Sequence, residues 1–229
     1  MPLYPPVLAG LPAGGTTGQV LAKQSAGDYD TGWETPSAGG GLPLQMPIAD
    51  GRYYSAPYFG RSADSVLVDD LSGQVVAIPF ICSEAKTWAE IGVECNNSGA
   101  GDGARLGIYA NNGGKPGALI VDAGEVTFDT TGSKTITIST ALAANTYYWL
   151  AIEVFISDDT AEISGLNSNN ATLQHFIFGR QFSPVSGDIT MAYVSKPTYG
   201  VLPDPFAADP GDILFTNGGT PFIWLRTGV

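Results

Sequence analysis

From about Leu44 to the C-terminus, short apolar or alternating runs are separated by clusters of turn-forming residues. In the clearest run, KTITIST, Ile136 and Ile138 point to one face and Thr135 and Thr137 to the other. A second run, TYYWLAIEVF, alternates less cleanly, which is typical of a strand covered on both faces. Clusters such as NNSGAGDG and NNGGKPG mark turns between runs. No window has the sustained apolar spacing that predicts a helix.

The number and spacing of the runs predict an all-β domain over residues 44–229. About ten short strands with regular turns are typical of an antiparallel β-sandwich of the Greek-key or jelly-roll type. Residues 1–36 differ, because they are rich in Pro, Gly and Thr and carry only isolated large apolar residues. Between the two regions, SAGGGLP at residues 37–43 predicts a flexible linker.

The charge of the chain argues against several classes of partner. Ten Lys and Arg residues against 22 Asp and Glu residues give a formal net charge of -12. We therefore expect no nucleic-acid partner and no electrostatic attachment to an anionic membrane. No stretch approaches the roughly 20 apolar residues that span a bilayer, so we expect no membrane insertion. The N-terminus does not resemble a signal peptide, which predicts synthesis in the cytoplasm without export by that route.

The two cysteines, Cys82 and Cys95, lie in the apolar runs IPFICS and WAEIGVECNN. A cysteine in such a run usually serves as a small buried apolar residue, so we expect free thiols, with a disulfide as the alternative. Without neighbouring histidines, two cysteines do not build a zinc site.

Catalytic patterns are weak in this chain. The single histidine, His175, stands among apolar residues, and no serine lies in a nucleophile motif. Glycan hydrolysis would need two carboxylates at a set separation. The candidate pairs are Asp69/Asp70, Asp158/Asp159 and Glu90/Glu94. The aspartate pairs have turn-like contexts, and the spacing of the glutamates predicts only a shared, solvent-facing strand face. We therefore expect the protein not to be an enzyme.

The glycine-rich loops predict no phosphate site, because no Lys-Ser/Thr and helix follow them. Asn96, Asn97 and Asp102 offer the oxygen ligands that calcium prefers, which leaves calcium as the only cofactor considered. Ordinary hairpin loops are the alternative interpretation.

The remaining functional hypothesis is ligand recognition by loops on a rigid β-sandwich. Sugar binding uses aromatic rings against the apolar face of a pyranose and planar polar groups for its hydroxyls. The aromatic candidates are Trp88, Tyr109, Tyr147, Tyr148, Trp149, Tyr193, Tyr199 and Trp224. Tyr109 and Tyr199 lie nearest to loops. Together with Asn111 and Asn112, which follow Tyr109 in the chain, they are the predicted ligand-binding residues.

The segment GTTGQVLAKQSAGDYDTGW follows the pattern Gly-x-x-Gly-Gln-Val-Leu-x-Lys, then Ser, then Asp-Tyr-x-x-x-Trp. The matching residues are Gly15, Gly18, Gln19, Val20, Leu21, Lys23, Ser25, Asp28, Tyr29 and Trp33. The segment closely resembles one found in bacteriophage tail fibres, head fibres and other virion structural proteins. This resemblance implies a homotrimer that attaches to other virion proteins through residues 1–36. A looser similarity, in ARLGIYANNGGKPGALIVDAGEVTF and ALAANTYYWLAIEV, is to jelly-roll modules of phage receptor-binding proteins.

Burial of apolar side chains would favour formation of a trimer. The N-terminal segment cannot bury its large apolar side chains alone, because ordering each residue costs about 1–2 kcal/mol of backbone entropy. Three copies around a threefold axis would bury them against each other, at about 25 cal/mol per Å². The side chains concerned are Val20, Leu21, Tyr29 and Trp33.

The sequence therefore predicts a phage tail fibre, spike or head fibre located in the virion. Its jelly-roll domain is expected to bind the host cell surface, with a cell-surface glycan as the ligand. One alternative is a capsid decoration or fibre protein with a purely structural role. Another is a small polysaccharide depolymerase. The N-terminal pattern does not distinguish a tail location from a head location.

Overall fold

The computed structural model describes residues 13–27, 30–35, 48–55, 64–67, 72–155, 157, 160–166, 190–195, 199–206, 213–215 and 220–228. Several residues considered above lie outside these ranges: Asp28, Tyr29, Asp69, Asp70, Asp158, Asp159 and His175. The chain divides into two compact units, Met1–Pro43 and Leu44–Val229. The division falls at Pro43, the last residue of the predicted linker.

The first unit contains an antiparallel β-hairpin. Strands β1 (Val20–Lys23) and β2 (Thr31–Glu34) pair so that Leu21 faces Trp33 and Val20 faces Glu34. A two-stranded hairpin is too small to bury a core. Accordingly, Val20 is 48% exposed and Leu21 is 37% exposed. The sequence pattern had not predicted strands here.

Six described strands form the first large sheet of the second unit. They are β5 (Val75–Cys82), β7 (Gly103–Asn112), β8 (Lys115–Thr127), β10 (Thr146–Phe155), β12 (Thr190–Ser195) and β13 (Ile213–Phe215). Their order across the sheet is β13-β12-β5-β10-β7-β8. All of these neighbours are antiparallel.

Seven described strands form the second large sheet. They are β3 (Tyr53–Tyr54), β4 (Asp64–Leu67), β6 (Lys86–Asn97), β9 (Gly132–Leu142), β11 (Glu162–Leu166), β14 (Thr220–Pro221) and β15 (Trp224–Thr227). The long strand β6 pairs with β9 along one edge and with β15 and β11 along the other. β3 extends the sheet beyond β15, while β4 and β14 pair with β11.

The two large sheets share one hydrophobic core. Its fully buried members from the two sheets include Ile78, Phe80, Trp88, Ile91, Leu106, Ile108, Leu150 and Ile152. In β9, Ile138 is buried and Ile136 packs against this core, while Thr135 and Thr137 are exposed, as predicted. The described part of the second unit is thus an all-β arrangement of two antiparallel sheets, which confirms the predicted class.

A second, smaller cluster covers the outer face of the six-stranded sheet. Leu202 and Phe206, from the segment 199–206, pack there against Tyr109 and Trp149. Gly107 makes this contact possible, because an added Cβ would collide with the Leu202 side chain and lie 2.8 Å from the Val121 carbonyl oxygen. β10 is therefore buried on both faces, as its sequence predicted.

Cys82 and Cys95 are free, buried thiols on opposite sheets of the sandwich, in agreement with the prediction. Burial raises the pKa of both thiols, so they stay protonated and behave as small apolar core residues. Within the described residues, no helix is long and apolar enough to cross a membrane.

Candidate functional site

The outer face of the seven-stranded sheet carries an open groove of about 180 Å³. It is lined by Tyr53, Val93, Glu94, Ser133, Thr135 and Trp224. This volume is smaller than the roughly 300–1,000 Å³ of a typical drug-sized pocket. An open groove of this size suits one unit of an extended ligand better than an enclosed small molecule.

The alternation of β6 determines which side chains reach the groove. Ile91, Val93 and Cys95 point into the core, so Glu90 and Glu94 lie on the outer face. Trp88 and Ile91 are both core residues although they are three positions apart, which strict alternation does not allow. An irregularity in the β6–β9 pairing between Trp88 and Glu90 accounts for this change in the alternation. The predicted shared face of Glu90 and Glu94 is thus confirmed.

Gly92 lies in β6 beside two residues that line the groove. Its Cα partners are Trp224 on one neighbouring strand and Thr135 on the other. A Cβ at this position would lie 2.5 Å from the Lys134 carbonyl oxygen and 2.8 Å from Thr135 Cγ2. The absence of a side chain at Gly92 therefore lets β6 and β9 pack closely.

Two aromatic side chains, Tyr53 and Trp224, line the groove. In β15, Leu225 is buried while Trp224 and Arg226 face outward, and Arg226 in turn pairs with Tyr53 of β3. Tyr53 is 42% exposed. The Trp224 ring meets Phe222 edge to face, with the ring centroids 5.5 Å apart, which orients the indole. The groove thus offers two accessible aromatic surfaces.

An ion pair anchors the Tyr53 wall. Nε and Nη2 of Arg226 donate to the two carboxylate oxygens of Glu90, the Nε bond being 3.0 Å long. The Tyr53 hydroxyl donates to Glu90 Oε2 at 3.1 Å, and the guanidinium lies 5.4 Å from the Tyr53 ring centroid. The hydrogen bond from Arg226 lowers the pKa of Glu90. Burial and the Glu90 carboxylate together raise the pKa of Tyr53.

Glu94 is the exposed carboxylate of the groove. Its Oε2 lies 3.4 Å from the Ser164 Oγ, whose hydroxyl makes the shorter hydrogen bond, of 3.1 Å, to Asn96 Oδ1. The Cα partner of Glu94 on β9 is Ser133. An ionised carboxylate accepts hydrogen bonds and donates none, whereas serine and threonine hydroxyls do both. Glu94, Ser133 and Thr135 can therefore bind a ligand rich in hydroxyl groups, while the aromatic rings contact its apolar surface.

The spacing of Glu90 and Glu94 does not suit glycoside hydrolysis. Four residues along a strand separate their Cα atoms by roughly 13 Å, at about 3.3 Å per residue. Hydrolytic pairs hold their carboxyl groups roughly 5–10 Å apart and need one acid with a raised pKa. Glu90 instead has a lowered pKa, and both of its oxygens are engaged by Arg226.

The ligand-binding residues predicted from the sequence lie elsewhere. The ring of Tyr109 is completely buried against Phe206, and its hydroxyl donates to the Pro203 carbonyl oxygen at 2.9 Å. The prediction for Tyr109 is wrong, because its ring is a core member with no surface for a ligand. Asn111 accepts a hydrogen bond from the Trp149 indole at 3.1 Å, and Asn112 ends β7 in an exposed position.

Tyr199 lies at the opposite end of the six-stranded sheet from Asn111. Its ring packs against Phe155, whose Cα partner on β7 is Gly103. Gly103 and Asn111 are eight residues apart on β7, roughly 26 Å along the strand. The structure therefore does not bring Tyr199 and the asparagines into one site.

Those predicted attachment residues that the structure describes lie on the N-terminal hairpin and in the turn before it. Gly18 has a φ of 91°, which favours glycine. The Gln19 side chain accepts a hydrogen bond of 2.9 Å from the Thr16 amide, which holds this turn. The Trp33 ring covers Gly15, where an added Cβ would lie 2.6 Å from the indole. Lys23 is exposed at the end of β1.

The three candidate calcium ligands are engaged within the protein. Asp102 is fully buried and accepts hydrogen bonds from the backbone amides of Ser157 and Ala161, at 2.5 and 3.3 Å. Asn96 accepts from the Ser164 hydroxyl, and the Asn97 side chain donates to the Thr160 carbonyl oxygen. Among the described residues, no group of three or more His, Cys, Asp or Glu side chains could hold a metal ion.

Sequence reasoning missed most of the groove. Trp224 was one of eight aromatic candidates, whereas Tyr53, Ser133 and Thr135 were not considered as ligand contacts. A signal was present in PFIWLRT, where apolar residues alternate with Trp224 and Arg226. Compared with models of known protein families and with the sequences of curated proteins, the chain matches none.

Proposed function

We propose that the protein is a phage virion fibre or spike whose β-sandwich binds a glycan on the host cell surface. The observation that carries the binding role is the open groove between Tyr53 and Trp224, with Glu94 beside them. Aromatic faces next to hydroxyl and carboxylate groups match the amphipathic surface of a sugar ring. The virion assignment rests on the N-terminal pattern, and the jelly-roll topology belongs to the same proposal.

The N-terminal hairpin acts in this proposal as the trimerisation and attachment element. Val20 and Leu21 are neighbours on one strand, so they project from opposite faces of a two-stranded sheet. Both faces therefore expose apolar surface that association with other copies would bury. A trimer would also combine weak single-site affinities into useful avidity.

Trimerisation is tested on the full chain by light scattering. The wild-type chain should have three times the mass of a monomer, and a Val20→Ser/Leu21→Ser double variant should dissociate while the sandwich keeps its melting transition. A monomeric wild-type chain would contradict this part of the proposal.

The function itself is tested by incubating the full chain with host cells and with polysaccharide purified from the host envelope. We expect saturable binding without release of reducing ends, since the protein is proposed to bind and not to cleave. Virions lacking the protein should adsorb poorly. Normal adsorption would favour the purely structural role, and release of reducing ends would favour a depolymerase.

A further inference from the structure

We propose that the groove selects uncharged sugars and rejects glycans that carry carboxylate, sulfate or phosphate groups at the contacting unit. This inference rests on the proposed function and adds the chemical class of the ligand. It follows from the charge of Glu94, which lines the groove, and from the pairing of the charged side chains around it.

Glu94 supplies the charge that faces the ligand. The residue is exposed, and its carboxylate contacts the Ser164 hydroxyl at 3.4 Å, so it keeps lone pairs for further donors. Adjacent hydroxyl groups of a neutral sugar can donate to such a carboxylate. A second anion placed close to it would instead be repelled.

Arg226, the cation beside the Tyr53 ring, does not offset this repulsion. Arg226 is held by both oxygens of Glu90 and lies against the Tyr53 ring, so its charge is largely balanced. The Lys134 ammonium donates to the Thr130 hydroxyl at 2.6 Å. In the alternation of β9, Lys134 lies on the same face as Ile136 and Ile138, opposite to the groove. Among the described residues that line the groove, Glu94 is the one charged side chain.

Arg52 and Lys86, which lie in or next to strands of the same sheet, are not among the residues that line the groove either. Arg52 is exposed just before β3, and Lys86 forms an ion pair of 3.5 Å with Asp50 at the start of β6. An anionic sugar seated between the aromatic walls would therefore face Glu94 without a lining cation. The formal net charge of -12 adds a longer-range repulsion of polyanions.

Salt and one variant separate these two sources of repulsion. The long-range part is screened over about 8 Å at 0.15 M ionic strength and over about 3 Å at 1 M. Repulsion at the groove depends on Glu94 itself. Glu94→Gln removes this charge and keeps the size of the side chain, so it should relax the selectivity at either salt concentration if the groove is responsible.

The test measures binding of the full chain to neutral and acidic polysaccharides by affinity electrophoresis and biolayer interferometry. Dextran, mannan and galactan serve as neutral probes, and alginate and polygalacturonate as acidic probes. We expect at least one neutral polymer to bind at least tenfold more tightly than either acidic polymer at 0.15 M salt. At 1 M salt the preference should remain but be smaller, because screening over about 3 Å also weakens repulsion at the groove. In Glu94→Gln this ratio should fall at least threefold, and Trp224→Ala should abolish the binding.

The two proposals fail in different ways. If an acidic polymer binds the wild type as tightly as the neutral ones and Trp224→Ala abolishes that binding, the groove binds glycans and the charge selectivity is wrong. The selectivity proposal also fails if Glu94→Gln leaves the ratio unchanged. If neither these polymers nor host polysaccharide binds, or if Trp224→Ala has no effect, the proposed function of the groove fails as well.

Discussion

The two outer faces of the sandwich differ in whether another segment of the chain covers them. On the six-stranded sheet, Leu202 and Phe206 cover the face and turn Tyr109 and Trp149 into core residues. On the seven-stranded sheet, the aromatic residues around the groove remain accessible, and ionic and hydroxyl groups surround them. Aromatic residues on an outer strand face are thus structural or available to a ligand according to whether another segment covers them.

The largest loss of stability is expected from a substitution on the covered face. Leu202 is almost completely buried, so Leu202→Ala should lower the free energy of unfolding by about 2–5 kcal/mol, because a large apolar side chain leaves a cavity. Denaturant unfolding measures this change. Glycan binding by the folded variant should be unchanged.

The neighbouring residue provides a matched control for that prediction. Val201 is 74% exposed, so Val201→Ala should change stability by no more than about 0.5 kcal/mol. Equal effects of the two substitutions would mean that Leu202 does not anchor a second core.

A substitution at Gly92, on the open face, should lower stability less than Leu202→Ala does. In Gly92→Ala the new methyl group meets the Lys134 carbonyl oxygen and Thr135, so β9 must shift. Overpacking of this kind costs about 1–3 kcal/mol, and the narrowed groove should bind glycan more weakly. Thermal melting and binding assays measure the two effects.

Gly228→Ala is the control for the Gly92 substitution, because its added Cβ would meet only the Ala89 Cβ, at 3.9 Å. It should leave stability and binding close to those of the wild type. If Gly92→Ala changed neither stability nor binding, the strands would tolerate a side chain at this position.

The smallest expected effect is at the ion pair behind Tyr53. The folded-state pKa of Glu90 lies below its ordinary value of 4.5, so the pair stabilises the fold fully above that pH. The stabilisation is lost as pH falls through the lowered pKa. Glu90→Gln should therefore melt slightly below the wild type at pH 7, and the difference should shrink below about pH 4. A difference independent of pH would contradict a role for the Glu90 charge.

The fold class could be predicted because strand faces are a local property of the sequence. The alternation around Ile136 and Ile138, and the doubly covered run in β10, both indicated the observed burial. Short strands were harder to predict. β11, with the sequence EISGL, contains Ser and Gly and forms through pairing with β4, β6 and β14, partners that are distant in the sequence.

The candidate site could not be predicted, because long-range pairing assembles it. Arg226 and Glu90 are 136 residues apart in the sequence, and Trp224 and Tyr53 become neighbours only through β15 and β3. Proximity to loops suggested Tyr109 instead, but the segment 199–206 buries this side chain. The sequence pattern alone does not show which outer face is covered.

The four tryptophans allow the central claim to be tested in one experiment. Trp33 lies on the N-terminal hairpin, Trp88 in the main core, Trp149 on the covered face and Trp224 at the groove. Each indole N–H gives its own signal in a ¹H–¹⁵N NMR spectrum, and four Trp→Phe variants assign them. When an oligosaccharide from the bound host polysaccharide is titrated into the full chain, the Trp224 signal should shift saturably while the other three stay in place. A stationary Trp224 signal, with a saturable shift at Trp149 or Trp33, would contradict glycan binding at the open face.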